Sequence, residues 1–252
     1  MKKLFGLIFF LLTFWGCSSS IDTTNFTAQE RLDYALRLYN DEDYEQAVIE
    51  FQAIILQYPG SAVIDDAQFY LAMSRYQRRE LILAAFEFSK LIKNTPASEF
   101  VPQAQFMLAE SYYNLSPHYS LDQKYTKKAI EEYQAFIDFF PGNPNVPEVE
   151  KKIREMNAKL AEKDYRSAVI YEKLEYYTAA IKYYDNVVEV YHDTPFAPLA
   201  LYNKINILRD RKRDTEVLSE IGKFLQRYPN DFRAKELENL KNTLEKKLSA
   251  FK

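Results

Sequence analysis

Apolar residues recur at spacings of three and four through Leu32, Ala35, Leu36 and Tyr39, and again through Ala47, Val48, Phe51, Ile54 and Ile55. That period gathers the apolar side chains into one stripe, so each run predicts an amphipathic helix. Asp41-Glu42-Asp43 lies between the two runs and predicts the turn that joins them. Pro59, Pro96, Pro141 and Pro229 stand where second helices of this kind must stop. The proline ring fixes φ and removes the N–H that the next helical turn needs. The elementary unit is a helical hairpin.

The unit repeats. Ala67-Gln68-Phe69-Tyr70-Leu71-Ala72-Met73-Ser74-Arg75-Tyr76 returns as Ala104-Gln105-Phe106-Met107-Leu108-Ala109-Glu110-Ser111-Tyr112-Tyr113, an offset of 37 residues. The same offset backwards sets Leu32, Ala35 and Tyr39 under Phe69, Ala72 and Tyr76. Second halves repeat as Ala47 with Phe51 and Pro59, then Ala84 with Phe88 and Pro96. A third unit keeps Ala129, Tyr133 and Pro141 but carries eight extra residues within Leu115 to Lys124. A fourth has Ala168, Ala180, Tyr184 and Tyr191, and a fifth has Ala200, Val217, Ile221, Tyr228 and Pro229. Small residues permit close helix crossing, and the ring at Phe51, Phe88, Tyr133 or Tyr184 fills the space beside it.

This spacing of small residue, aromatic and proline resembles the tetratricopeptide repeat, lengthened from its nominal 34 residues. The implied fold is all-α, a right-handed solenoid of about five hairpins, because one hairpin cannot cover its own apolar face and neighbours must stack. The run Pro141 to Pro147 interrupts the regularity, and Glu148 to Glu172 reads as one long helix. The expected division is therefore an N-terminal sub-array over 26–141 and a C-terminal one over 142–252. A last stripe of Leu237, Leu240, Leu244, Leu248 and Phe251 predicts a helix capping the final hairpin.

The first residues differ in kind. Lys2 and Lys3 precede a run from Leu4 to Trp15 interrupted only by Gly6 and Thr13, which reads as a secretory apolar segment too short to span a bilayer. Gly16-Cys17-Ser18-Ser19-Ser20 follows. This resembles the bacterial lipoprotein signal, and the resemblance implies a signal peptide over 1–16, an acylated Cys17 and a tether over 17–25. Cleavage there removes Lys2 and Lys3 and takes the formal net charge from -3 to -5. Such an acidic body is expected to stand off an anionic bilayer.

Composition narrows the chemistry. With 47% hydrophobic and 27% charged residues over 252 positions the chain can bury a core. Only five glycines occur, Gly6 and Gly16 of them in the N-terminal signal segment, so no glycine-rich phosphate loop is possible. His118 and His192 lie far apart and Cys17 is the sole cysteine. That excludes a His/Cys zinc site and an intramolecular disulfide, and no metal or cofactor is expected. Lysine and arginine are scattered, so nucleic acid is not an expected partner. Adjacent carboxylates such as Asp65-Asp66 and Glu131-Glu132 do not face one another on a helix and read as solvated faces. No nucleophile, base and orienter come together, so the expectation is a binding protein and not an enzyme.

On a tetratricopeptide-type array the first helices line the groove. Leu32, Phe69 and Phe106 occupy one repeat position and Tyr39, Tyr76 and Tyr113 another. All six are candidates for a substrate-peptide groove, since aromatic rings offer large contact area to an extended peptide. Packing of repeat on repeat is the competing role for the same rings.

A lipoprotein signal ahead of such repeats resembles the BamD family of outer-membrane protein assembly lipoproteins. The more specific part of the likeness is Lys159-Leu160-Ala161-Glu162-Lys163-Asp164-Tyr165 leading into Ala168, Tyr171, Ala179 and Ala180, together with the extended third unit. The resemblance implies a scaffold held at the periplasmic face of the bacterial outer membrane by its lipid. It also implies a β-barrel assembly machine, with unfolded β-barrel proteins on the N-terminal repeats, a BamA-like barrel subunit docked between Ala200 and Tyr228, and other assembly lipoproteins alongside. A tetratricopeptide lipoprotein that organises cell-wall synthesis or division proteins is the rival reading.

Overall fold

The structure, a computed structural model, describes residues 23–249. The signal peptide, Cys17 and the start of the tether lie outside the described residues. Eleven helices are found among the described residues and no strand. They form five hairpins: α1 (Ala28–Asn40) with α2 (Tyr44–Gln57), α3 (Ile64–Gln77) with α4 (Leu81–Asn94), α5 (Val101–Leu115) with α6 (Lys124–Phe139), α7 (Val146–Lys173) with α8 (Tyr177–Val190), and α9 (Phe196–Asp210) with α10 (Asp214–Arg227). A final helix, α11 (Ala234–Ser249), packs on α10 through Leu237 and Leu244. The fold is an all-α solenoid of tetratricopeptide-like hairpins.

Local chemistry sets the boundaries. Thr27 and Glu30 make a reciprocal capping box at the start of α1, Thr27 Oγ1 accepting from the Glu30 N–H at 3.3 Å and Glu30 accepting from the Thr27 N–H at 2.8 Å. Four hairpin turns share one motif. Glu42, Arg79, Glu175 and Lys212 each adopt φ near +60° just past the first helix. Their N–H groups and those of the next residues bond back to orphan carbonyls, as Glu42 to Tyr39 and Asp43 to Leu38 do at 3.1 and 2.9 Å. The third hairpin replaces this turn with the longer loop between Leu115 and Lys124. Pro59, Pro96, Pro141 and Pro229 each follow the C-cap of a second helix, at Tyr58, Thr95, Phe140 and Tyr228.

The core sits between successive helices. Ala35, Ala47, Ala67, Ala72, Ala84, Ala104, Ala109 and Ala129 are fully buried, as are the rings of Phe51, Phe88, Tyr133 and Tyr184 beside them. Each such ring contributes about 1.5–3 kcal/mol by leaving water. The long α7 serves two cores. Val149 and Met156 join Ala109, Tyr133 and Phe136, whereas Ala161 and Ala168 join Tyr184 and the fifth hairpin.

A buried polar clasp recurs inside the hairpins. Arg31 Nε donates to Glu50 at 2.7 Å, Gln68 Nε2 to Glu87 at 2.9 Å and Gln105 Nε2 to Glu132 at 2.9 Å. Lys204 and Glu220 complete the series at 3.1 Å in the fifth hairpin. Glu132 is thus a partner of Gln105 and not only a solvated charge.

Of the first helices, α1 packs on α3 and α7 on α9, and side chains join α3 to α5 through Tyr76 and Asn114 and α5 to α7 through Glu110 and Lys152, while among the described residues no second helix packs closely on another. The array therefore closes on the side of the first helices and fans out on the other. That geometry defines an inner face.

Candidate functional site

The inner face is richest where α3, α5 and α7 meet. Phe106, Glu110, Tyr113 and Asn114 stand at helical spacing on one side of α5. Glu148, Lys152 and Glu155 do the same on α7. Lys152 pairs with Glu110 across the two helices and reaches Glu148 at 3.1 Å. Its Nζ lies 5.6, 5.0 and 5.9 Å from the ring centres of Phe106, Tyr113 and Tyr133. Three aromatic faces and two carboxylates thus enclose one cation, an arrangement that favours the charged ammonium. Burial pulls the Lys152 pKa down, but Glu110 and Glu148 outweigh it and leave it above the ordinary lysine value.

The hydroxyl groups complete the network. Tyr133 donates to Glu110, and burial followed by that contact pushes its phenol far above the usual range. Tyr113 donates to Glu155 at 3.2 Å. Asn114 Nδ2 donates to the Tyr76 hydroxyl at 3.0 Å, which ties α5 to α3. Burial first, then the negative charge of Glu155 for Tyr113 and of Glu110 for Tyr76, raises both phenols, so they stay protonated hydrogen-bond donors at neutral pH.

Of the six groove candidates, Tyr76, Phe106 and Tyr113 come together here, each partly exposed. Tyr39 is also partly exposed but packs edge-on against Tyr44 and Tyr70, with ring centres 5.5 and 5.3 Å away. Leu32 and Phe69 are core residues, a correction to their assignment to the groove. Phe69 stacks on Phe100 at 4.6 Å and meets Phe88 at 6.0 Å, while Leu32 lies among Ala35, Ala47 and Phe51. Phe106 stays partly exposed, with the Lys152 ammonium 5.6 Å from its ring centre where Phe69 has the stacked ring of Phe100. Reading the sequence missed Glu110, Lys152, Asn114 and Glu155. Glu110 did leave a signal: it stands where the preceding unit has Met73, a charge at an apolar place in the repeat.

The third-hairpin loop is fastened beside this face. Lys159 Nζ donates to Ser116 Oγ at 2.9 Å and Lys163 Nζ to the Leu121 carbonyl at 2.7 Å. The extended third unit and the Lys159 to Tyr165 segment are therefore parts of one construction. His118 contacts Ser120 and Tyr119 within the loop. Further along, a cleft at the fourth and fifth hairpin turns is lined by Tyr176, Tyr177, Lys182, Arg211 and Arg213 together with one acid, Glu175, and the Arg211 guanidinium lies 5.1 Å from the Tyr177 ring centre. Among the described residues no group of His, Cys, Asp and Glu is arranged to hold a metal ion, and no helix is long and apolar enough to cross a membrane.

Comparison with known proteins adds three findings. A family model described as YfiO, outer membrane lipoprotein, matches residues 26–212. The outer membrane protein assembly factor BamD of Rickettsia prowazekii (strain Madrid E) is 27% identical over 206 residues, covering 81% of this chain and 82% of that protein. Among solved structures, the TPR2AB domain of yeast Sti1 in its pHSP90 complex aligns with a TM-score of 0.43 at 14% identity, over 89% of this chain and 85% of that one. A tetratricopeptide protein of Thermus thermophilus aligns at 0.37 with 16% identity, over 86% and 98%.

Proposed function

The chain belongs to the outer membrane lipoprotein family whose model spans residues 26–212, and from that premise we propose that it is the lipid-anchored scaffold subunit of a β-barrel assembly machine. The likeness to an assembly factor and the tetratricopeptide fold point to a non-catalytic role at the outer membrane. In this reading Cys17 carries the lipid at the periplasmic face and 17–25 is the tether. The inner face around Tyr76, Phe106 and Tyr113 receives segments of unfolded β-barrel proteins. A BamA-like barrel subunit docks on the C-terminal hairpins, within Ala200 to Tyr228, and other assembly lipoproteins complete the machine.

The observation that carries this reading is the partly exposed aromatic box closed by Glu110 and Lys152. Rings supply apolar contact area at low entropic cost, and the phenols and Asn114 supply hydrogen bonds to an extended backbone. The basic and aromatic cleft at Arg211 and Arg213 suits an acidic surface on a docked subunit.

Photo-crosslinkers placed at Tyr76 and Tyr113 in cell envelopes test it. Adducts with unfolded β-barrel proteins, and co-purification of a barrel subunit, are expected. Recovery of cell-wall synthesis or division proteins without any barrel subunit would overturn it in favour of the rival scaffold.

A further inference from the structure

The outer side of the solenoid is not uniform. Ile49 and Leu56 on α2, with Ile82, Leu83 and Phe86 on α4, are each 45% or more exposed. Ile49 and Phe86 occupy the same place in their hairpins, seven residues after the left-handed turn residue. At that place the fourth and fifth hairpins carry Lys182 and Ser219. At this place, then, the first two hairpins are apolar and the last two polar, although α6 and α8 expose Phe139 and Val190 near their C-terminal ends.

The same region receives the tether. Thr23, the first described residue, accepts from Arg31 Nη2 at 3.2 Å, and Arg31 Nη1 also donates to Gln57 at 2.5 Å. The Tyr58 hydroxyl donates to the Phe26 carbonyl at 2.5 Å. The entering chain is therefore pinned to the C-terminal end of α2, next to Leu56. From Cys17 to Thr23 there are six residue steps, a reach of at most about 22 Å at ~3.6 Å per step. An acyl chain on Cys17 holds this end of the protein within that distance of the bilayer.

Charge agrees with the placement. Although the whole body is acidic, the partly exposed Lys90 and the exposed Lys93 lie on α4, where Glu87 is buried against Gln68. Glu45 at the start of α2 is paired with Arg78 at 3.6 Å, and Glu50 with Arg31. An apolar stripe with Lys90 and Lys93 beside it on α4, and no unpaired exposed acid on either helix, has the chemistry of an interfacial helix. We propose that the outer face of α2 and α4 rests on the phospholipid surface, with Ile82, Leu83 and Phe86 in the headgroup region. The first hairpins then lie against the membrane with their inner face turned away from it, instead of hanging freely from the tether. This inference rests on the acylation of Cys17 in the reading above.

The test uses the full-length acylated protein in vesicles of phosphatidylethanolamine and phosphatidylglycerol. Because Cys17 is the only cysteine and its thiol is acylated, Phe86→Cys introduces one thiol for a polarity-sensitive dye. Lys182→Cys, at the equivalent place of the fourth hairpin, is the control. The mass of the N-terminal peptide reports acylation separately. The expected result is a blue-shifted dye at position 86, quenched by spin-labelled lipid roughly threefold or more beyond the dye at 182, as for a side chain at ~5–10 Å depth. Equal weak quenching at both positions in an acylated, vesicle-bound protein overturns the inference and leaves the anchor standing. Shielding of position 86 only when a barrel subunit is added overturns it in favour of a protein partner. An unacylated N-terminus removes the premise and overturns both.

Discussion

Lys152 of α7 pairs with Glu110 of α5 while its ammonium is enclosed by the rings of Phe106, Tyr113 and Tyr133. The two side chains are only 17% and 12% exposed, so removing one leaves the other with a desolvated charge. Lys152→Met is expected to cost about 2 kcal/mol, below the ~3–5 kcal/mol of a wholly buried pair. Adding Glu110→Gln should recover at least about 1 kcal/mol of that, because two neutral groups no longer face burial unpaired. A double-mutant cycle read by urea denaturation checks both numbers; additive losses would mean that the pair is not coupled.

Four hairpin turns hold a side chain in the left-handed region, at Glu42, Arg79, Glu175 and Lys212. Glycine adopts that conformation without the Cβ clash, at some cost in unfolded-state entropy. Lys212→Gly and Glu42→Gly are each expected to raise stability by about 0.5–1 kcal/mol. Thermal melts of the single and double variants suffice, and a loss of stability in both would contradict the strain argument.

Arg31 is the first member of the repeated clasp and the one with most partners, Glu50, Gln57 and Thr23. Arg31→Ala leaves Glu50 unpaired in a nearly buried place and is expected to cost about 2 kcal/mol. Arg31→Gln restores the residue that the second and third hairpins use at this position and should recover about half. Hydrogen exchange across α1 and α2 locates the loss; an effect spread evenly over all hairpins would contradict a local clasp.

Hairpins, turns and proline stops were legible because each is written in a few consecutive residues with a fixed period. The clasps were half legible: Arg31, Gln68 and Gln105 share the 37-residue offset, but Glu132 is displaced from Glu87 by the third-unit insertion. The box around Lys152 was hidden, since Glu110 and Lys152 are 42 positions apart and their meeting depends on where the long α7 passes. The groove candidates show the limit most clearly. Phe69 and Phe106 hold the same repeat position, yet Phe100 stacks on the first and Lys152 leans over the second. A repeat fixes which face a residue points from, whereas burial is decided by the neighbouring unit.

Acid should loosen the C-terminal hairpin. Glu220 lies 2.8 Å from Lys223 and 3.1 Å from Lys204. Burial pushes its carboxyl up, but the two lysines outweigh that and hold it below the usual glutamate value. Asp231 is held low in the same way, chiefly by Arg233. A carboxyl lowered in the folded state contributes fully above its unfolded value, ~4.3 for glutamate, and loses that contribution as pH falls through the folded value. Stability is expected to drop below about pH 4, and Glu220→Gln should flatten part of that drop while costing on the order of 1–2 kcal/mol at pH 7. Urea midpoints from pH 7 to pH 3 give the answer; identical acid slopes in variant and parent would exclude Glu220.

The inner rings and the core rings make opposite predictions, and this separates binding from packing. Phe69 is 3% exposed and stacked between helices, so Phe69→Ala should remove about 3–5 kcal/mol of stability. Its effect on peptide affinity, counted per folded molecule, should be nil because the ring touches no accessible surface. Tyr76 and Tyr113 are partly exposed and held by Asn114 and Glu155. Replacing both by alanine is expected to cost only about 1–2 kcal/mol of stability. The same pair should weaken capture of a C-terminal β-barrel peptide about tenfold, equivalent to ~1.4 kcal/mol. Tyr76→Phe and Tyr113→Phe keep the rings and remove the hydroxyls, so they divide the loss between apolar contact and hydrogen bonding. Melting and peptide titration on the same samples decide the matter. If the tyrosine pair lowers stability as much as Phe69→Ala and leaves affinity unchanged, the rings only join repeat to repeat, and peptide recognition belongs to some other face of the solenoid.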